Sequence, residues 1–162
     1  RILDRIGKKI TLEQVHNAVY WAKKAGIKHI EGNFIIGSDP SESREDVEQT
    51  ITLIQTLPWT FVSVTIIVPY PGTPVYNEMR EKGFIFSENW EDFVMFGKEP
   101  LWRTEHFEPA ELLRLQKEIT RRFYTRPGYI AQRLLSIRSF TELSYWITSG
   151  VSYLRWYFFN KV

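Results

Sequence analysis

The chain of 162 residues contains no cysteine, which excludes disulfides, thiolate zinc sites and cysteine-ligated iron–sulfur clusters from within it. Histidine is nearly as scarce: His16, His29 and His106 lie far apart and show no His-Glu-x-x-His spacing, so they read as surface or packed side chains rather than metal ligands. No run of about 18 apolar residues occurs, and nothing reads as a transmembrane helix. The Gly-Lys-Ser/Thr ending of a Walker phosphate loop is missing, as is any recognisable Ser-His-Asp order. One region is short of acid: residues 121–162 carry 7 basic and 1 acidic side chains, against 14 basic and 18 acidic in residues 1–120. That tail also holds 11 of the 25 aromatics, a balance suited to an anionic partner.

What is present is enough for a core: 43% of residues are apolar and 15% aromatic, the composition of one globular piece. The chain opens on Arg1 with no leader-type segment before its first apolar pattern, so a part of a longer protein is expected.

Thr11-Leu12-Glu13-Gln14 fits a capping box, and Leu12, Val15, Val19 and Ala22 follow on one helical face. Gly26 supplies a left-handed stop, so the pattern predicts a helix over residues 11–25. Residues 27–36 read as a strand with Phe34-Ile35-Ile36 as its apolar centre, and residues 37–42 are nearly all turn formers. Ser43 then caps a helix with an acidic first turn and a stripe of Val47, Ile51 and Ile54, closed by Leu57-Pro58.

The uncharged, β-branched run over residues 61–67 stops abruptly at Val68-Pro69-Tyr70-Pro71-Gly72-Thr73-Pro74, a buried strand opening into a rigid loop. It follows the previous strand by about 33 residues, the length of a βαβ unit, so the two strands are parallel and Gly37 and Pro69 share one edge. Ligands bind at that edge in barrels and open α/β sheets alike. Thr73-Pro74 starts a short helix that stops at Gly83. Residues 84–104 are irregular, with Phe84, Phe86, Trp90, Phe93, Phe96 and Trp102. A long helix runs from Pro109 to about Tyr124, with Leu112, Leu115, Ile119 and Phe123 on one face. Helical pattern resumes at Arg126-Pro127, Ser139-Phe140-Thr141-Glu142 forms a second capping box, and Gly150 divides two final helices.

The Gly37–Ser43 loop reads either as an ordinary βα connection or as an anion site built from free helix amides. Asp39 and Glu42 lie there without a partner base or nucleophile, so they define no acid–base chemistry by themselves. In the tail, nucleic acid or a membrane surface would suit the charge, but Tyr145, Ser149, Tyr153 and Trp156 recur at core-like spacing, which favours packing.

Taken in order, several segments form a family pattern: Leu3-Asp4-Arg5-Ile6-Gly7-Lys8, Ala25-Gly26-Ile27, Phe34-Ile35-Ile36-Gly37 and Glu42-Ser43-Arg44-Glu45-Asp46. Pro69-Tyr70-Pro71-Gly72-Thr73-Pro74-Val75-Tyr76, Gly83, Trp90, Phe93 and Arg122-Phe123-Tyr124-Thr125-Arg126-Pro127-Gly128-Tyr129-Ile130 continue it. The succession resembles the C-terminal part of radical S-adenosylmethionine (SAM) enzymes of the class with a cobalamin-binding domain. The resemblance implies an α/β fold: the last two β/α units of a six-stranded partial (β/α) barrel over residues 1–83, then an all-helical C-terminal extension over residues 84–162.

In the complete enzymes of that family a CxxxCxxC loop holds a [4Fe-4S] cluster, which cleaves SAM to a 5′-deoxyadenosyl radical, and cobalamin-class members often transfer a methyl group. Carried over, Asn33, Ile35 and Gly37 match the strand-five Gly-x-Ile-x-Gly motif near the adenine, with Asn33 in place of the first glycine. Glu42 falls in a turn one residue longer than the family's Gly-Leu-Pro-Gly-Glu-Thr. Val68, Pro69 and Tyr70 would line SAM or substrate at the end of strand six. With no cysteine triad, this chain by itself is expected to be inert. The expected partners are the N-terminal part of the same protein and a small-molecule or lipid-like substrate, with no nucleic acid. A cytoplasmic location is expected, with the basic aromatic tail as the part that could meet a membrane surface. A non-catalytic α/β binding module whose tail docks to a membrane or partner is the alternative, separated from the first reading by whether a cluster motif lies upstream.

Overall fold

A computed structural model of the chain describes residues 1–95 and 99–159. Among them are seven α-helices and a two-stranded parallel sheet, and the chain divides into two compact units, Arg1–Thr120 and Arg121–Val162.

In the first unit, α1 (Ile2–Arg5) leads to α2 (Leu12–Lys24). The capping box forms as the sequence predicts: the Gln14 amide donates to Thr11 Oγ1 at 3.1 Å and the Thr11 amide to Gln14 Oε1 at 2.8 Å. Gly26 ends the turn at φ +81°, a conformation glycine adopts without a Cβ clash. The expected buried face of α2 is only partly covered, because Val19 is buried while Leu12 stays 51% exposed.

Strand β1 (Glu31–Ile36) is shorter than the pattern of residues 27–36 suggests. The Ile30 amide donates to Thr60 Oγ1 at 3.1 Å, and that hydroxyl donates to the Lys28 carbonyl at 2.9 Å. A side chain thus takes backbone groups that a ladder would need. The Ser43–Asp46 capping box starts α3 (Arg44–Thr56), which buries Val47, Ile51 and Ile54. Strand β2 (Phe61–Ile66) then pairs with β1 in parallel, Asn33 opposite Ser63 and Ile35 opposite Thr65. The Ile67 amide continues the contact to the Ile36 carbonyl at 3.0 Å.

Past β2, Thr73 Oγ1 accepts from the Tyr76 amide at 3.3 Å and begins α4 (Pro74–Glu81). Residues 84–95 and 99–104 are held by packed rings: Phe93 stacks on buried Trp102, and an antiparallel bridge joins Ile85 to Trp102. Phe96, one of the aromatics singled out in the sequence, lies outside the described residues. Helix α5 (Pro109–Tyr124) begins in this unit, burying Leu112, Gln116 and Ile119. Gln116 Nε2 donates to the Val64 carbonyl of β2 at 2.8 Å.

The second unit contains α6 (Pro127–Ser136) and α7 (Phe140–Phe159). Helix α7 runs through Gly150, contrary to the expected division there. One interior glycine costs a helix only about 1 kcal/mol relative to alanine, and no proline accompanies it. The second capping box forms by half. The Glu142 amide donates to Ser139 Oγ at 3.1 Å, but the Glu142 carboxylate accepts from the Arg138 amide at 2.8 Å instead of reaching Ser139.

Candidate functional site

Side chains alternate across a strand, so the parallel register sorts the sheet into two faces. Gly32 and Ile36 of β1 lie with Val62, Val64 and Ile66 of β2 on the buried face. Glu31, Asn33 and Ile35 lie with Phe61, Ser63 and Thr65 on the other, which is exposed or half-buried. Ile35 keeps 46% of its surface in solvent. A cavity of about 350 Å³ runs alongside β1. Its walls include Asn33, Ile35, Glu42, Leu53 and Trp59, with Ile10 and Leu12 from the segment around α2.

The site residues expected from the sequence therefore separate. Asn33, Ile35 and Glu42 border one cavity. Gly37, at φ +66°, is packed where a Cβ would meet Leu112 Cδ2 at 3.3 Å, so its glycine identity has a steric reason. Val68 and Pro69 are buried, whereas Tyr70 is exposed with its ring centroid 5.6 Å from that of Trp90.

Glu42 is turned inward. It is 1% exposed and accepts from the Ser38 amide at 3.1 Å. Burial pushes its carboxyl up to about 7, against the opposing pull of the Gly37 and Ser38 amides. The Ser43 amide in turn donates to Asp46 Oδ2 at 2.9 Å. Amides that the sequence offered to an anion are thus taken by the loop's own carboxylates. Asp39 is also buried, which alone would raise its pKa. Hydrogen bonds from Ser41 and Arg5 outweigh that and hold it below the usual carboxylate value.

Sequence reasoning missed two sets of residues. Arg1 pairs with Asp46 and reaches Ser41, and Arg5 Nε lies 2.6 Å from Asp39 Oδ2, so α1 is fastened to the loop after β1. The signal was Arg1 and Arg5, two arginines four apart, set against the acid-rich stretch over residues 39–48. Ser63 and Thr65 share the face of Asn33 and Ile35, and their alternation within the apolar run was the signal there. Among the described residues no group of three or more histidine, cysteine, aspartate or glutamate side chains is placed to hold a metal ion.

No family model matches the chain. Among curated proteins it is similar to an uncharacterized methyltransferase of Pyrococcus horikoshii, 34% identical over 140 residues, which is 86% of this chain and 30% of the relative. It is 35% identical over 71 residues to the bacteriochlorophyllide d C-8(2)-methyltransferase of Chlorobaculum tepidum, covering 44% of this chain and 15% of that protein. Over 124 residues it is 27% identical to the anaerobic magnesium-protoporphyrin IX monomethyl ester cyclase of Cereibacter sphaeroides, covering 76% of this chain and 19% of that protein. The chain thus spans less than a third of the length of these relatives.

Proposed function

We propose that this chain forms one wall of the active site of a radical SAM enzyme that methylates an unactivated carbon, with cobalamin as a further cofactor of the whole protein. The observation that carries the reading is the sheet: two parallel strands with one face covered by the chain itself and the other left open, in a sequence similar to a methyltransferase over 86% of its length. In this reading β1 and β2 are the last two strands of a partial barrel, and their open face looks inward. Asn33 and Ser63 offer polar groups beside the apolar surface of Ile35, with the Thr65 hydroxyl donating to the Phe34 carbonyl at 3.3 Å and free only to accept, a combination that suits an adenosine moiety. The barrel strands and the helical extension divide near residue 84.

The chain's own residues do not fit an iron–sulfur cluster, since no thiolate is present; the cluster belongs to other parts of the whole protein. The cavity wall also carries the buried Trp59 Nε1, which has no acceptor among the described residues. A preceding strand beside β1 would bring carbonyls to that region. Beside the edge, the exposed Tyr70 and Trp90 rings suit a flat conjugated substrate, of the kind named for the bacteriochlorophyllide and protoporphyrin relatives.

Anaerobic reconstitution of the complete polypeptide with iron and sulfide, followed by reduction in the presence of SAM, tests the reading. Formation of 5′-deoxyadenosine is the expected result. A complete polypeptide that lacks a CxxxCxxC segment, or that assembles its cluster and leaves SAM intact, would overturn it.

A further inference from the structure

The C-terminal unit presents apolar side chains outward in a setting that is almost wholly cationic. On α6, Ile130 and Leu134 are exposed one turn apart, with Leu134 at 63% and Leu135 at 84%. At the start of α7, Phe140 is 87% exposed, and Ile147 and Val151 continue its face at spacings of seven and four. Leu134, Leu135 and Phe140 bracket a short connection that carries exposed Arg138. The expectation that the tail's aromatics pack is not met at Phe140 or Tyr145, both exposed; the Tyr153 and Trp156 side chains lie outside the described residues.

We propose that this unit docks on an anionic phospholipid surface, with Leu134, Leu135 and Phe140 entering the interface and exposed Arg121, Arg138 and Arg155 facing lipid phosphates. Charge selects the occupant. The stretch over residues 121–162 carries 7 basic side chains and Glu142 as its one acid. A second copy of the same surface would bring like charges together, whereas anionic headgroups attract each basic side chain by about fivefold in affinity. Aromatic and branched apolar groups beside arginine suit the headgroup boundary. The unit would lie on the bilayer and not cross it, because no helix among the described residues is long and apolar enough to span.

The test is co-sedimentation of the full chain with vesicles of phosphatidylcholine alone or mixed with about a third phosphatidylglycerol. Binding at least about tenfold stronger to the anionic vesicles is expected, weakening about tenfold when salt is raised toward molar levels. A Leu135→Ala/Phe140→Ala double variant should lose most of that binding at unchanged circular dichroism, since both side chains are exposed and leave no cavity. Equal binding to neutral vesicles, absence of binding, or binding retained by the variant would overturn the proposal. So would concentration-dependent self-association that the variant abolishes while vesicles are ignored, which would assign the surface to a second copy. The outcome does not depend on the reading of the sheet.

Discussion

Strands β1 and β2 are equal in length and paired along their whole register, yet their surroundings differ. Beside β2, the Gln116 side chain of α5 satisfies the Val64 carbonyl, and the chain that follows supplies buried Trp102, Phe107 and Leu112. Beside β1 there is a cavity, an exposed Ile35 and a poorly covered α2. An unpaired sheet edge is a liability that folded proteins cover. This chain covers the β2 side with its own helix and leaves the β1 side uncovered.

That comparison sets the expected size of substitutions. Phe107 is 1% exposed, so Phe107→Ala should cost about 3–5 kcal/mol in urea unfolding. Ile35→Ala on the uncovered face should change the same measurement by less than about 0.5 kcal/mol. Equal costs at the two positions would break the distinction between the sides.

The pH dependence sharpens it at the loop that joins them. Glu42 has its carboxyl raised from 4.5 to about 7 in the folded chain, so the fold binds its proton more tightly than the unfolded state does. The resulting stability is complete below about pH 4.5 and is lost as pH rises through about 7, a change on the order of 3 kcal/mol. Asp39, held low, acts in the opposite sense: its contribution is present at neutral pH and disappears on acidification. Glu42→Gln should therefore flatten the decline in stability between about pH 5 and 8 while leaving the acid limb in place. Urea midpoints across that range provide the check, and a decline that persists in the variant would mean another group is responsible.

A smaller effect is expected at the covered edge. Gln116→Leu removes the donor to the buried Val64 carbonyl and should destabilise by about 1–2 kcal/mol. Hydrogen exchange should then rise in β2 more than in β1; equal or reversed changes would show that the glutamine does not close that edge.

Much of this arrangement was legible because its signals are local. Thr11 and Ser43 announce their helices within four residues, and two apolar runs separated by a capped helix imply a parallel pair. What escaped depends on contacts distant in sequence. Thr60 borrows the backbone of residues 28–30 from 30 or so positions away. Glu42 entered by its match to a family turn, and nothing in the sequence showed that its carboxyl accepts from the amide of Ser38. Val68 and Pro69 stand at the predicted edge yet are buried, since position along a strand fixes the edge and not the neighbours. Gly150 reads as a break by composition, although an exposed helix passes through it at modest cost. Tail exposure was the hardest to foresee, because core spacing and interface spacing are the same helical period.

The proposed function has the uncovered face of β1 and β2 look onto SAM in the whole protein. Its most direct test is anaerobic SAM binding to the complete, cluster-reconstituted polypeptide carrying Ile35→Glu, measured beside the unaltered protein together with the melting temperature of each. A loss of affinity of about tenfold or more at an unchanged melting temperature is the predicted result. Wild-type affinity in the variant would contradict the claim.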